Sequence, residues 1–269
     1  MLRFTEKEDL EARFAEVEGV VKNWRSRCAL VSSELRAEFR ASLHLSLIYH
    51  DSALEGEVLS HSEIKSAIDP TIISDTSLIP SYDEINRFHE ACQFAAQTAA
   101  TGKKKPLKPE VVRTISGILA PEEKAKGCPY RKDNPLHRLY YHEISPPEKI
   151  AYRMRKFGEW LEGPEWQALN SIERAANAHH RLMRIFPWAK RSGKTARILS
   201  NLLLLQADYP LAIIHSIDRQ RYYEALRGEP EALVSVYLEA IETTAVSEVR
   251  VYDEAARAPQ KQQRAAGSH

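Results

Sequence analysis

AANAHHRLMRIFPWAKRSGKTARILSNLLLLQAD, residues 175–208, decides how this chain is read. It has the pattern of a helix, a sharp loop and a second, buried helix. Pro187 ends the first pattern, because it has no N–H to donate and its ring clashes with the preceding turn. Ser192 is placed as the N-cap of the second helix, which turns apolar from Ile198. A loop at such a place offers an anion unpaired N–H groups and the positive end of a helix dipole. Arg184, Lys190, Arg191, Lys194 and Arg197 crowd this place with no acid between them. Charge alone is also satisfied by a solvated basic loop over a core helix.

The stretch resembles the signature of the Fic family, which transfers AMP from ATP to hydroxyl side chains and is written HPFx(D/E)GNGRxxR. Aligned on Pro187, Gly193 and Arg197, this chain reads FPWAKRSGKTAR. A shift of one residue loses Pro187, Gly193, Arg197 and Asn201 together. His179, Leu182 and Ile185 fit the family's HxxFxxI lead-in, with Leu182 for its Phe; Asn201, the LLLL run and Tyr209-Pro210 fit the helix that follows. The segment 218–226, DRQRYYEAL, resembles the adenine-side segment and makes Asn201, Tyr222 and Tyr223 the adenine-side candidates.

The central letters depart from the signature. Phe186 stands where the family has its general base, and a phenyl ring can neither accept nor donate the proton. Lys190 stands where an acid holds Mg²⁺, and an ammonium cannot ligate a hard cation. Arg191 and Ser192 replace the Gly-Asn of the cradle, and Lys194 keeps the charge of the first Arg without its fork. The resemblance thus implies a pocket rich in cations and lacking ordinary AMP transfer. Lys190, Arg191, Ser192, Gly193, Lys194 and Arg197 are its anion-binding candidates, no cofactor is expected, and Mg²⁺ is not required. No catalytic residue is assigned. Of the nearby histidines His142, His180 and His215, His142 is the candidate substitute base. No two histidines and a carboxylate stand at metal-ligand spacing.

Upstream, the segment 49–56, YHDSALEG, resembles the inhibitory segment (S/T)xxxE(G/N) of many Fic proteins, with Asp51 in the Ser/Thr place. That resemblance implies a pair between Glu55 and Arg197. Without it, Glu55-Gly56 is a helix-surface acid before a helix-ending glycine. Tyr130 and Arg131 match the lead-in to the family's flap, a short β-hairpin that holds a target segment by strand addition. Here it falls at residues 137–143, within the run LHRLYYHEI. By pattern alone that run is extended with an ambiguous period, or a loop between helices.

The remaining chain is helical by pattern. One helix or coiled arm is expected from about Glu6 to Trp24, and a second stripe runs through Leu35, Phe39, Leu43 and Leu47. Ser60/Glu63 and Ser81/Glu84 are capping boxes that should start helices. Further stripes are Ile85, Phe88, Cys92, Ala95; Val112, Ile115, Leu119 after Pro109; Ile150, Met154, Phe157, Leu161; and Leu233, Val236, Tyr237, Ile241 after Pro230. The fold class is all-α, a Fic-like helical core with one short hairpin. Residues 1–104 form an N-terminal helical arm, 105–228 the core, and 229–269 a last helix with a polar, fraying tail.

The 38 basic and 37 acidic residues nearly cancel, so nucleic acid and membrane are not expected partners. Cys28, Cys92 and Cys128 are scattered, which reads as reduced thiols in a cytoplasmic protein. The start is too charged for a secretory signal. Two functions remain open: a degenerate Fic-fold protein that binds an anionic small molecule or a protein partner held by 137–143, and an enzyme that uses the altered pocket for other chemistry on a nucleotide or small molecule. An ordinary protein adenylyltransferase stands third.

Overall fold

The computed structural model describes residues 7–69, 79–102, 107–124, 127–135 and 142–266. In chain order the helices are α1 (Lys7–Leu30), α2 (Ser33–Glu55), α3 (His61–Ile68), α4 (Ile79–Thr101), α5 (Pro109–Leu119) and the short α6 (Pro121–Lys124). They continue as α7 (Ile150–Glu162), the short α8 (Pro164–Ala168), α9 (Ser171–Ile185), α10 (Ser192–Gln206), α11 (Arg219–Arg227) and α12 (Pro230–Ala266). Single 3₁₀ turns at Pro147–Lys149 and Ser216–Asp218 precede α7 and α11. No described residue lies in a strand, and residues 136–141, which hold most of the expected hairpin, are outside the described residues.

α10 is the axle. Every residue from Ser192 to Leu204 is buried, because α9, α4 and α5 pack around it and α12 covers α9. α1 lies along α12, with Val17 and Val21 fully buried. One apolar core thus runs from α1 to α12 and crosses both expected domain boundaries. The stripes carry it: Ile150, Met154, Phe157 and Leu161 of α7 are all buried, as are Leu233, Val236, Tyr237 and Ile241 of α12.

Local signals set the helix ends, with three corrections. The Ser60/Glu63 capping box forms as expected, and an Asn170/Glu173 box that the sequence reading passed over starts α9. Ser81 falls inside α4, which is already helical at Ile79, and Glu84 pairs with Lys194. Ser192 is the first residue of α10 rather than its cap, and its hydroxyl instead accepts from Trp188 N–H (2.8 Å) and donates to the Trp188 carbonyl (2.5 Å), pinning the loop. The polar tail from Ala256, expected to fray, continues α12 as helix to Ala266.

The loop between α9 and α10 starts at Phe186, which ends α9 in the left-handed conformation (φ 49°), an uncommon state for a bulky residue. Arg131 holds it there. Its Nε donates to the Phe186 carbonyl (2.7 Å), Nη1 to Asp133 O and Asn134 Oδ1, and Nη2 to Ser145 O. The Arg131 matched to the flap lead-in is therefore a buried staple between this loop and the segment entering α7.

Candidate functional site

Arg197 lies one turn into α10 with its guanidinium buried. A buried charge is tolerated only when paired and hydrogen-bonded. Two carboxylates from the last turns of α2 supply the pairing: Asp51 Oδ1 meets Nε, and Glu55 Oε1 accepts from Nη2 at 2.8 Å. Nη1 donates to the Tyr222 hydroxyl (3.1 Å). Burial opposes the guanidinium's charge, but Asp51, Tyr222 and Glu55 more than offset it and hold its pKa well above the ordinary value. Burial pushes the Asp51 carboxyl up, and Arg197 pulls it back.

Asp51 and Glu55 are four residues apart and so share one face of α2. Gly56 ends the helix in the left-handed region (φ 92°), which favours glycine, and the turn presents Glu57. Glu57 accepts from Lys194 Nζ at 3.1 Å, and Glu84 of α4 accepts from the same atom at 2.5 Å. Lys194 is buried, and Asp51, Glu57 and Glu84 raise its pKa against the burial that lowers it. Gly193 permits the approach: a Cβ there would sit inside van der Waals contact with the Glu55 carboxylate and 3.0 Å from Arg197 Nη1.

The expected Glu55–Arg197 pair is thus present, and Asp51, Glu57 and Glu84 are partners the sequence reading missed. Of the six anion-site candidates, Lys190 alone is exposed. Arg191 is buried, its Nε donating to Ser116 Oγ at 2.6 Å with the guanidinium over the Trp188 ring. Lys190, Arg191 and Lys194 line a cleft of about 540 Å³ that also takes in Glu84, Arg87 and Tyr130. Arg87 pairs with Glu122 at its rim (3.6 Å).

The adenine-side candidates are each engaged within the fold. Asn201 Oδ1 accepts from Ala212 N–H (2.8 Å) and its amide donates to Ala212 O. The Tyr223 hydroxyl donates to Leu54 O (3.1 Å), which also accepts from Arg219 Nε (3.0 Å), so α11 grips the end of α2. Tyr222 meets His179 Nε2 at 2.9 Å, and His179 Nδ1 meets the Tyr237 hydroxyl at 2.6 Å. Burial pushes the His179 pKa well down, so the ring is neutral. Arg197 can only donate, which assigns the order Arg197 to Tyr222 to His179 to Tyr237.

The other candidate histidines are engaged within the fold. His142 is buried, its ring edge-on to Phe186 (centroids 6.1 Å) and Nε2 3.1 Å from the Met183 carbonyl. It does not line the cleft. His180 Nε2 lies 3.0 Å from Gly228 O. His215 stacks on His50 of α2 at 4.4 Å, and His50 Nδ1 accepts from Ser216 N–H at 3.1 Å. Among the described residues no group of three or more side chains could hold a metal, and no helix is long and apolar enough to cross a membrane.

Two outcomes follow from this geometry. Gly193→Ala should displace the Glu55 carboxylate while leaving Asp51 on Arg197. Urea unfolding should show a loss of about 1–3 kcal/mol, the cost of a mispaired buried polar group. A second substitution, Glu55→Ala, should add little on that background; full additivity would mean that Gly193 does not accommodate Glu55.

The His50 pKa is lowered to about 4 by burial, with His215 and His61 adding to it. The docked form therefore binds fewer protons than an open one between about pH 4 and His50's ordinary 6.5. Its hold on α2 is complete above 6.5 and falls away as pH drops toward 4. Amide exchange at residues 54–57, corrected for intrinsic rate, should be faster at pH 5 than at pH 7. His50→Asn, which keeps an acceptor for Ser216, should flatten the difference.

The comparisons with known proteins agree with this architecture. A family model described as the Fic/DOC family matches residues 106–204. A "Protein adenylyltransferase Fic" of Nematostella vectensis is 27% identical over 179 residues, covering 66% of this chain and 42% of that protein. One of Drosophila virilis is 28% identical over 184 residues, covering 67% and 36%. The chain thus spans about two-fifths of the length of these relatives. Among solved structures, Fic-1 from C. elegans superposes with a TM-score of 0.73 at 19% identity, over 93% of this chain and 73% of that one. A Fic domain containing signaling protein from Bacteroides thetaiotaomicron gives 0.73 at 20%, over 90% and 98%. The match at residues 106–204 and the shared fold support membership of the Fic/DOC family.

Proposed function

We propose that this Fic-fold protein does not transfer AMP to protein hydroxyls, and that its cleft binds a small anion while α2 withholds Arg197. Phe186 is the observation that carries the reading. Adenylyl transfer, the activity in the relatives' name, needs a group that takes the proton from the attacking hydroxyl, and loss of such a base typically costs ~10²–10⁴-fold. At the aligned place this chain has a hydrocarbon ring, buried and turned against His142. His142, the candidate substitute, faces the Met183 carbonyl rather than the cleft.

The donor set around the cleft supports metal-free binding. Lys190, at the place aligned with the metal-holding acid, is an exposed ammonium, while Glu84 and Glu122 are engaged by Lys194 and Arg87. These residues do not fit Mg²⁺. Lys190 supplies positive charge at the cleft instead, with the buried Arg191 behind it. With Arg197 held by α2, a monophosphate or carboxylate fits the remaining charge better than a triphosphate.

Labelled ATP with Mg²⁺ and cell lysate should give no AMP incorporation above background, in wild type and in Glu55→Gly. Robust incorporation by either contradicts the reading. In calorimetry, AMP or inorganic phosphate should bind wild type equally with Mg²⁺ or chelator, and Lys190→Glu should weaken binding at least about tenfold. A requirement for Mg²⁺, or no binding, contradicts the anion site. Chemical conversion of the bound ligand would move the protein to the alternative, an enzyme of other chemistry.

A further inference from the structure

A second cavity, of about 230 Å³, lies at the other end of α10, where α1, α2, α4 and α12 meet the turn after Leu205. Leu205 is eleven residues beyond Lys194, about 16 Å along the helix at 1.5 Å per residue, so this cavity is separate from the cleft. Its walls are mostly apolar. Ala96 and Ala99 of α4 line it, as does the Trp24 indole, which is fixed by its Nε1 donating to Glu248 Oε2 at 2.6 Å. Glu248 also takes the Tyr252 hydroxyl, so that carboxylate is already engaged in the wall.

Two polar groups of α2 are not engaged. His44 is 8% exposed, lines the cavity and makes no hydrogen bond among the described residues; its ring only meets His89 edge-on at 5.6 Å. A neutral imidazole has one donor and one acceptor, and neither is taken by a group among the described residues, so both are available to a molecule in the cavity. Burial, with His89 and Arg40 adding to it, lowers the His44 pKa to about 4, so the ring acts as a hydrogen-bonding group and not as a cation. Arg40, one turn earlier on the same face, is exposed at the cavity and makes no ion pair among the described residues. An apolar slot with a few convergent polar groups is the usual form of a small-molecule site.

We propose that this cavity binds a small aromatic carboxylate, its ring between Trp24 and the α4 alanines and its carboxylate accepting from Arg40 and the His44 imidazole. The volume suits a single- or fused-ring acid and excludes a nucleotide. The charge of Arg40 selects the acid over its amide, because charge-assisted bonds are roughly twice as strong as neutral ones.

The test is calorimetry on the full chain with benzoate, indole-3-carboxylate and the matching amides. At least one acid should bind wild type, at least about tenfold more tightly than its amide. Arg40→Gln removes an exposed side chain and keeps the fold; it should erase that preference. Ala96→Phe fills the slot and should abolish binding of both acid and amide. If Ala96→Phe does not fold, Ala100→Leu, at an exposed lining position, replaces it. No binding of either acid to wild type, an unchanged acid preference in Arg40→Gln, or binding that survives the filled slot overturns the proposal.

Discussion

Arg197 is a permanent cation in the middle of the core, and much of the site's arrangement follows from satisfying it. Removing one partner of a buried ion pair typically costs ~3–5 kcal/mol, so the guanidinium requires Asp51 and Glu55 to stay where they are. They stay because α2 ends beside them in a left-handed Gly56 and because Tyr223 and Arg219 hold the Leu54 carbonyl. On its other side Arg197 donates into Tyr222, and through His179 the chain of bonds reaches Tyr237 of α12. Four helices, α2, α9, α11 and α12, are thereby registered against α10 by one side chain. Such a network adds little net stability over a well-packed apolar core; its effect is to specify one arrangement.

The same pairing decides what the start of α10 can offer a ligand. Its cations attract anions, but those nearest the helix are already matched from within: Arg197 by Asp51 and Glu55, Lys194 by Glu57 and Glu84. Four carboxylates against two cations leave this inner layer acidic rather than basic. What remains for an outside anion is the outer layer of the cleft, where Lys190 is exposed. The cations of this stretch therefore fall into two groups, one paired within the protein and one, Lys190, exposed at the cleft.

Much of the fold was legible in the sequence, because helical stripes report burial directly. Ile150, Met154, Phe157 and Leu161 are spaced for one face and share it. Single-residue roles were less so. Ser192 has the chemistry of an N-cap, yet its hydroxyl pins Trp188, since the loop's sharp entry from a left-handed Phe186 places that backbone within its reach. Ser81 and Glu84 match a capping box, but α4 begins before them and Glu84 turns to Lys194, 110 residues away. Resemblance supplied the Glu55–Arg197 pair, whereas Asp51 lies 146 residues from Arg197 and nothing local announces that contact. One signal was available: Asp51 and Glu55 are one turn apart, so a cation that meets one is within reach of the other.

The central claim, that Arg197 is held by both carboxylates at once, is tested most directly by two double-mutant cycles on unfolding free energy. One pairs Asp51→Asn with Arg197→Met, and the other pairs Glu55→Gln with Arg197→Met. Each should show a coupling of about 1–3 kcal/mol, the range for residues sharing one ion-pair network. Additivity within about 0.3–0.5 kcal/mol in either cycle would mean that carboxylate does not hold the guanidinium, and the account of α2 as the element that fills the pocket would be contradicted.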